Sequence, residues 1–296
     1  MPVKYHLKKR EALETGLPRV VRALLLKASR EAAMSDIPET VRIHMVRKRL
    51  KRARAIHKLA WPAPDEAKHG LDQAWLRDLG RSLSQARDAD VLVETHRRLT
   101  PRSVTNTDAD GAGDPVLEEL LRLRHEAHLD SPPSRLLHQV APELIAKARE
   151  WDAASWMPIE AHPIRDALTP GIGSYWSALD DVVLSPTGER FHTLRKRVKD
   201  LGYQMDFMGR RVAASGKRLR RRADRLSELL GWHHDLWVFE DRVAAMDGMS
   251  TVVRDSWERM IETEGRPLEQ RALAKADSLR RALARKVGEQ KPGQRG

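Results

Sequence analysis

The sequence predicts an all-α protein built as two helical bundles that arose by internal duplication. Charged residues make up 32% of its 296 residues and aromatic residues only 5%, a composition typical of helices rather than sheets. Apolar residues recur at helical spacing, as at Val20, Val21 and Leu24, and we find no alternating run that predicts a strand. Two pairs of matching segments, separated by 148 and 147 residues, indicate the duplication.

Composition also excludes several classes of protein. The chain has no cysteine, which excludes a disulfide framework, a thiolate metal site and a cysteine nucleophile. No apolar run approaches the roughly 20 residues that cross a bilayer, and the N-terminal residues lack the apolar core of a secretory signal. We therefore expect a cytoplasmic protein.

Turn signals divide the first half into helical lengths. A polar stretch rich in Gly, Asp and Thr, at 100–115, is predicted as a loop, and a Pro- and Gly-containing joint between the halves is placed at 157–173. We accordingly predict two repeats, at 1–157 and 158–296. The predicted helices of the first repeat are 17–33, 40–60, 71–83, 86–99, 116–129 and 135–151.

The two repeats share a basic segment and a second segment further along the chain. Residues 44–51, which begin at His44, align with 192–199, which begin at His192, and residues 86–91 align with 233–238. In both copies the histidine is followed by Arg at +3, Lys at +4 and Lys at +7. A period of this length is too long for a solenoid, and it predicts two helical bundles.

Positive charge is concentrated in the two basic segments. The formal net charge is +12, but windows 42–58 and 190–222 together carry +18, so the other 246 residues carry −6. A charge that served only solubility would be spread over the surface. The duplication makes the two windows equivalent, which indicates a function for the charge.

Each basic segment is amphipathic when wound as a helix. The first has cations on one face and an apolar face opposite, at Ile43, Val46, Leu50 and Ala53; the second has its apolar face at Leu194, Val198, Leu201, Met205 and Val212. A solvated charged face is the simplest interpretation. However, residues 41–64 contain no acidic residue to offset repulsion, which costs roughly 0.2–0.5 kcal/mol per like-charged pair. A bound polyanion would remove that cost.

The chain resembles a CHAD domain, a helical family named for its histidines. The resemblance depends on His44-x-x-Arg47-Lys48-x-x-Lys51-Arg52 and Arg87-Asp88-Ala89-Asp90-Val91 in the first copy. In the second copy it depends on His192, Arg195, Lys196, Lys199 and Tyr203, followed by Leu230-Gly231 and Asp235. It covers about residues 10–290.

This resemblance implies two four-helix bundles related by a pseudo-twofold, with the basic helices lining a shared groove. It also implies non-catalytic binding of inorganic polyphosphate, association with polyphosphate granules, and no cofactor. Asp200 and Gly202 depart from the pattern, because further basic residues are expected there. The predicted polyphosphate-binding residues, drawn from the basic faces and the motifs, are His44, Arg47, Lys48, Lys51, Arg52, Arg54, Lys58, Arg87, His192, Arg195, Lys196, Lys199, Tyr203 and Arg210.

Three alternatives remain open. A nucleic acid could occupy the same cations, although the basic windows contain only Phe191, Tyr203 and Phe207 for base stacking. A phosphate-processing enzyme could use His234-Asp235 and Asp88-x-Asp90 as metal ligands, but there is no Gly-rich phosphate loop, and a structural role for Asp88 and Asp235 is favoured. The third alternative is a basic surface for an acidic protein or a membrane.

Overall fold

A computed structural model describes residues 5–60, 65–100, 114–151, 166–209 and 216–288 of the chain. Within these ranges the chain forms ten α-helices and no strand, which confirms the all-α prediction. Most of the predicted loop at 100–115, and Val212, lie outside them. The helices are α1 (Leu13–Ala33), α2 (Glu39–His57), α3 (Glu66–Ser82), α4 (Gln85–Leu99), α5 (Pro115–Asp130), α6 (Pro133–Glu150), α7 (Thr169–Leu184), α8 (Gly188–Met208), α9 (Gly216–Ala244) and α10 (Thr251–Gly288).

The chain divides into two compact units. Unit 1 comprises Met1–Ala161 and Asp235–Glu262, and unit 2 comprises His162–His234 and Thr263–Gly296. Both α9 and α10 therefore contribute residues to each unit. The division at residue 157, the pseudo-twofold and the count of four helices per bundle stay predictions.

The predicted joint at 157–173 is wrong over its last residues, because α7 already begins at Thr169. Pro170 lies in the first turn of α7, where the N–H that proline lacks would have no helical partner. Gly171 is also not a linker residue: a Cβ there would lie 2.5 Å from Oε1 of the buried Gln204, so this glycine permits the close approach of α7 to α8. The rest of the predicted joint, up to residue 165, falls outside the described ranges.

The core of unit 1 is formed where α1 packs against α2 and α6. Leu17, Val20 and Leu24 of α1 are fully buried, as the helical spacing predicts. The returning parts of α9 and α10 complete this unit: buried His96 of α4 lies with its ring centroid 5.0 Å from Trp257 and 6.2 Å from Phe239. Its Nε2 also lies 2.7 Å from the carboxylate of Asp114, the N-cap of α5.

In unit 2, α7 packs against α8, and hydrogen bonds join α7 to α10. The buried Tyr175 hydroxyl donates to the carbonyl oxygen of Ala276 at 2.6 Å, and burial raises the pKa of this phenol. α8 begins at the N-cap Thr187, whose hydroxyl accepts from the Arg190 N–H at 3.3 Å, and it ends at Gly209, where φ is 56°. These contacts fix both ends of the second basic helix.

Among the described helices, none has a stretch long and apolar enough to span a bilayer.

Candidate functional site

The first basic helix, α2, has the orientation that its sequence pattern predicts. Ile43, Val46 and Leu50 are at most 1% exposed, whereas His44, Lys48 and Lys51 are exposed on the other side of the helix. The apolar face thus packs into unit 1 and the cationic face is accessible to solvent. This confirms the prediction of one buried and one charged face.

Arg47, on the same charged face, is half-buried and makes specific contacts. Its Nη1 donates hydrogen bonds to the carbonyl oxygen of Gly80 and to the hydroxyl of Ser84, at the turn between α3 and α4. Desolvation lowers the pKa of the guanidinium, an effect that Asp88 opposes and Arg87 adds to; the group nevertheless stays charged. These bonds hold the Arg47 head group in place before any ligand arrives.

Asp88 of α4 is an acidic residue beside these cations. Its pKa is raised because desolvation disfavours the carboxylate, although Arg47, Lys51 and Arg87 favour it. Three of the predicted binding cations therefore act electrostatically on one carboxylate.

The second basic helix, α8, also buries its apolar residues. Leu194, Val198 and Leu201 are fully buried, while Lys196 is exposed, and His192, Arg195, Lys199 and Tyr203 are half-buried. The His192 ring stacks on that of His234 of α9, with centroids 4.0 Å apart and an angle of 28° between the planes. An imidazole pair thus lies at the start of the second cationic face.

The head group of Arg195 lies beside α9 at the residue that aligns with Ser84. A Cβ placed on Gly231 would lie 3.6 Å from Arg195 Nη2 and 3.7 Å from Nε, so the guanidinium occupies the space next to this glycine. Arg47 and Arg195 are aligned at a separation of 148 residues, and Ser84 and Gly231 at 147. Each arginine head group therefore lies near the corresponding position in its own repeat.

A family model for the CHAD domain matches residues 21–244, well over half of the chain. This protein belongs to the CHAD domain family. The fold matches the crystal structure of the CHAD domain from the plant Ricinus communis, with a TM-score of 0.57, 21% sequence identity and 96% coverage of each chain. At this identity the structural match concerns the fold. Comparison with curated proteins finds no match.

Not every predicted binding cation of this CHAD domain extends into solvent. Arg52 donates to the Tyr5 carbonyl oxygen at 2.9 Å, and its guanidinium lies 5.8 Å from the Tyr5 ring centroid. Arg54, Lys58 and Arg87 are half-buried, and Ala55, which continues the cationic face, is buried. The exposed part of this face therefore runs from His44 to Lys51.

Acidic residues outside the basic segment neutralise part of its charge. Arg49 Nη2 lies 2.9 Å from the carboxylate of Glu31 of α1, and Arg42 lies 3.7 Å from Glu39. The absence of acids between residues 41 and 64 is thus offset by neighbours in space. Repulsion within α2 is therefore weaker than its sequence predicts, although Lys48 and Lys51 are exposed on its charged face.

In the second basic window, too, some arginines make contacts within the fold. Arg190 donates to the Asp181 carbonyl oxygen at 2.9 Å, Arg220 lies 3.1 Å from Asp206, and Arg222 donates to the Ser278 carbonyl oxygen at 3.2 Å. These arginines connect helices of unit 2. Arg210 lies outside the described residues.

Two features of the site were not predicted from the sequence. Ser84 and Gly80 precede the aligned segment 86–91, and only the offset of 147 residues relates Ser84 to Gly231. His234 lies in the aligned segment 233–238, but its position in the sequence does not predict that its ring stacks on that of His192. In the described part of the chain, no group of three or more His, Asp or Glu residues is placed to hold a metal ion.

Proposed function

We propose that this CHAD domain binds inorganic polyphosphate, without catalysis, through the cationic faces of α2 and α8. The observation that carries the proposal is the arrangement repeated in both helices. Each helix places an exposed lysine, Lys48 or Lys196, next to an arginine whose head group lies near the neighbouring helical segment; hydrogen bonds hold Arg47 there, and Arg195 lies beside Gly231. A guanidinium beside an accessible ammonium suits a ligand with closely spaced phosphates.

The chemistry of polyphosphate matches these groups. Arginine presents a planar fork to two phosphate oxygens, and lysine supplies a mobile point charge. Polyphosphate is a flexible, linear polyanion without bases, so its recognition requires spaced cations and no groove-reading element. Release of condensed counterions makes such binding strong and steeply dependent on salt.

The proposal includes the predicted groove shared by the two helices, in which one polymer engages both faces. The second contact is then intramolecular and gains from a high effective concentration. Association with polyphosphate granules belongs to the same proposal, because granules present this ligand at high density. Variants of one face alone should weaken binding of long chains much less than variants of both faces together.

A competition experiment separates this proposal from nucleic-acid binding. The protein is bound to a fluorescent single-stranded DNA, and long-chain polyphosphate or unlabelled DNA is added at equal phosphate concentration. The proposal predicts displacement by polyphosphate at a much lower concentration than by DNA. The opposite ranking would favour a nucleic-acid partner and contradict the proposal.

The non-catalytic part of the proposal has its own test. Polyphosphate of defined length is incubated with the protein and Mg²⁺ and then analysed by gel electrophoresis. An unchanged length distribution agrees with binding alone, whereas shortening or elongation that depends on the protein would establish an enzyme.

A further inference from the structure

The fold places the carboxylate of Asp88 among the cations of the α2 face. Ser84 is the N-cap of α4 and Asp88 lies one turn further on, so that the Asp88 N–H donates to the Ser84 carbonyl oxygen at 2.8 Å. The Ser84 hydroxyl accepts a hydrogen bond from Arg47 of α2, and Lys51 is one turn beyond Arg47. Since α2 and α4 pack together and Asp88 interacts electrostatically with both Arg47 and Lys51, its carboxylate lies within electrostatic reach of these two cations.

The charges that act on Asp88 come from both helices. Arg47 and Lys51 act from α2, and Arg87 acts from α4 itself. The nearest acidic neighbour in the motif, Asp90, is instead directed to His128 of α5, whose Nε2 lies 3.5 Å from its carboxylate. Asp88 is therefore the acid of this motif that belongs to the cationic face.

The surroundings of the Asp88 carboxylate favour its neutral form. Although the residue is exposed, desolvation by neighbouring groups raises its pKa and outweighs the three cations that lower it. Without a ligand, the negative charge reduces repulsion among the cations. When a polyanion binds the same cations, phosphate oxygens repel the carboxylate, and protonation of Asp88 relieves that repulsion.

We propose that Asp88 is a counter-charge within the phosphate-binding face, which limits affinity for polyphosphate while ionised and takes up a proton when polyphosphate binds. This inference rests on the proposed function, because it requires the α2 face to be occupied by phosphate groups. It makes Asp88 a determinant of affinity and of pH dependence. If Asp88 only oriented Arg47 and Lys51, its neutralisation would weaken the binding of polyphosphate instead of strengthening it.

The test uses Asp88→Asn, which preserves shape, and a matched control, Glu94→Gln, which removes one negative charge from an exposed position of the same helix. Binding of long-chain polyphosphate is measured by titration calorimetry between pH 7.5 and pH 5, at constant ionic strength. We expect D88N to bind about three- to tenfold more tightly at pH 7.5, the range for one like charge removed from a partly solvated site. E94Q should change affinity less than about twofold, because its charge is screened.

The pH profile gives a second, independent readout. Protonation of His44 and His192 should raise the affinity of both proteins as the pH falls, so the readout for Asp88 is the difference between them. Because bound polyanion raises the proton affinity of Asp88, the advantage of D88N should shrink as the pH falls. Calorimetry in buffers of different ionisation enthalpy should show more proton uptake by the wild type than by D88N.

Equal binding by D88N and the wild type would overturn the inference. Weaker binding by D88N would also overturn it, because Asp88 would then position the cations instead of limiting affinity. Weaker binding only in the presence of Mg²⁺ would also overturn it, in favour of a bridging divalent cation. If the wild-type protein fails to bind polyphosphate at every pH, the proposed function itself fails. That outcome is distinct from a wild type that binds and a D88N variant that binds no better.

Discussion

Arg47 of α2 donates a hydrogen bond to the Ser84 hydroxyl, and a second to the Gly80 carbonyl oxygen, at the turn between α3 and α4. A residue predicted to bind anions therefore also holds two segments of unit 1 together. The bonds fix the orientation of the guanidinium, so less conformational entropy is lost when it binds a phosphate. The Arg195 head group lies beside Gly231, the position that corresponds to Ser84, where no side chain can accept a hydrogen bond.

The hydrogen bonds of Arg47 predict that a lysine, which has the same charge, cannot substitute for it in binding. Arg47→Lys keeps the positive charge but cannot bridge both acceptors and present a fork to phosphate, so polyphosphate affinity should fall by about tenfold. The matched exchange at the adjacent exposed residue, Lys48→Arg, should stay within about twofold. Fluorescence anisotropy with end-labelled polyphosphate measures both, and equal effects would show that the Arg47 contacts do not contribute to binding.

Binding should be tighter at pH 6 than at pH 8, because protonation of His44 and His192 adds charge to the two cationic faces. His44 is exposed, and His192 is stacked on His234. Replacement of both His44 and His192 by Gln should reduce the difference between the two pH values. A wild-type affinity that is the same at pH 6 and pH 8 would show that neither imidazole contacts the ligand.

A histidine away from the cationic face predicts how stability depends on pH. The His69 ring stacks on buried His57 with centroids 4.3 Å apart, and burial, together with repulsion from His57, lowers the pKa of His69 from 6.5 to about 4. Between those values the unfolded chain binds a proton that the folded chain does not, so this residue destabilises the fold as the pH falls from 6.5 towards 4.

The measurement is urea unfolding at pH 7, 6 and 5. His69→Gln should lose less stability than the wild type over this range, whereas His138→Gln, which removes an exposed histidine, should follow the wild type. Parallel curves for the wild type and H69Q would contradict the assignment.

Two glycines in the first turns of α7 should respond differently to alanine. Gly171→Ala places a Cβ 2.5 Å from Oε1 at the end of the buried Gln204 side chain, so this amide must move, and the gain in helix propensity should be offset or turned into a loss of up to about 1 kcal/mol. Gly173→Ala meets no atom within 4 Å and gains roughly 0.5–1 kcal/mol from helix propensity. Urea unfolding measures both free energies. Equal effects would mean that α7 does not approach α8 as described.

Local features of the sequence predicted much of the fold and of the α2 face. Spacing alone placed Ile43, Val46 and Leu50 in the core and Lys48 and Lys51 outside, because one face of a helix must be buried and charged side chains resist burial. The Pro- and Gly-containing segment at 169–173 was wrongly predicted to belong to a linker. Proline is common both in linkers and in the first turn of a helix, so the sequence did not distinguish the two.

Contacts between distant residues could not be predicted. The Arg49–Glu31 ion pair, the Arg52–Tyr5 contact and the Arg47–Ser84 bond each join separate segments. Whether a given cation is accessible to a ligand or committed to the fold depends on such contacts. The sequence shows how much positive charge the two windows carry. It does not show which of their cations make contacts within the fold and which are exposed on the surface.

The most direct test of the account replaces both arginine–lysine pairs at once. The variant Arg47→Ala, Lys48→Ala, Arg195→Ala and Lys196→Ala is compared with a control that removes four exposed cations elsewhere, Arg135→Ala, Arg149→Ala, Arg271→Ala and Lys275→Ala. Both lose the same net charge, and circular dichroism establishes that helicity is retained. The account predicts that Kd for long-chain polyphosphate rises more than about 100-fold in the first variant and less than about threefold in the control. Equal losses in the two variants would contradict it, since affinity would then follow net charge rather than the faces of α2 and α8.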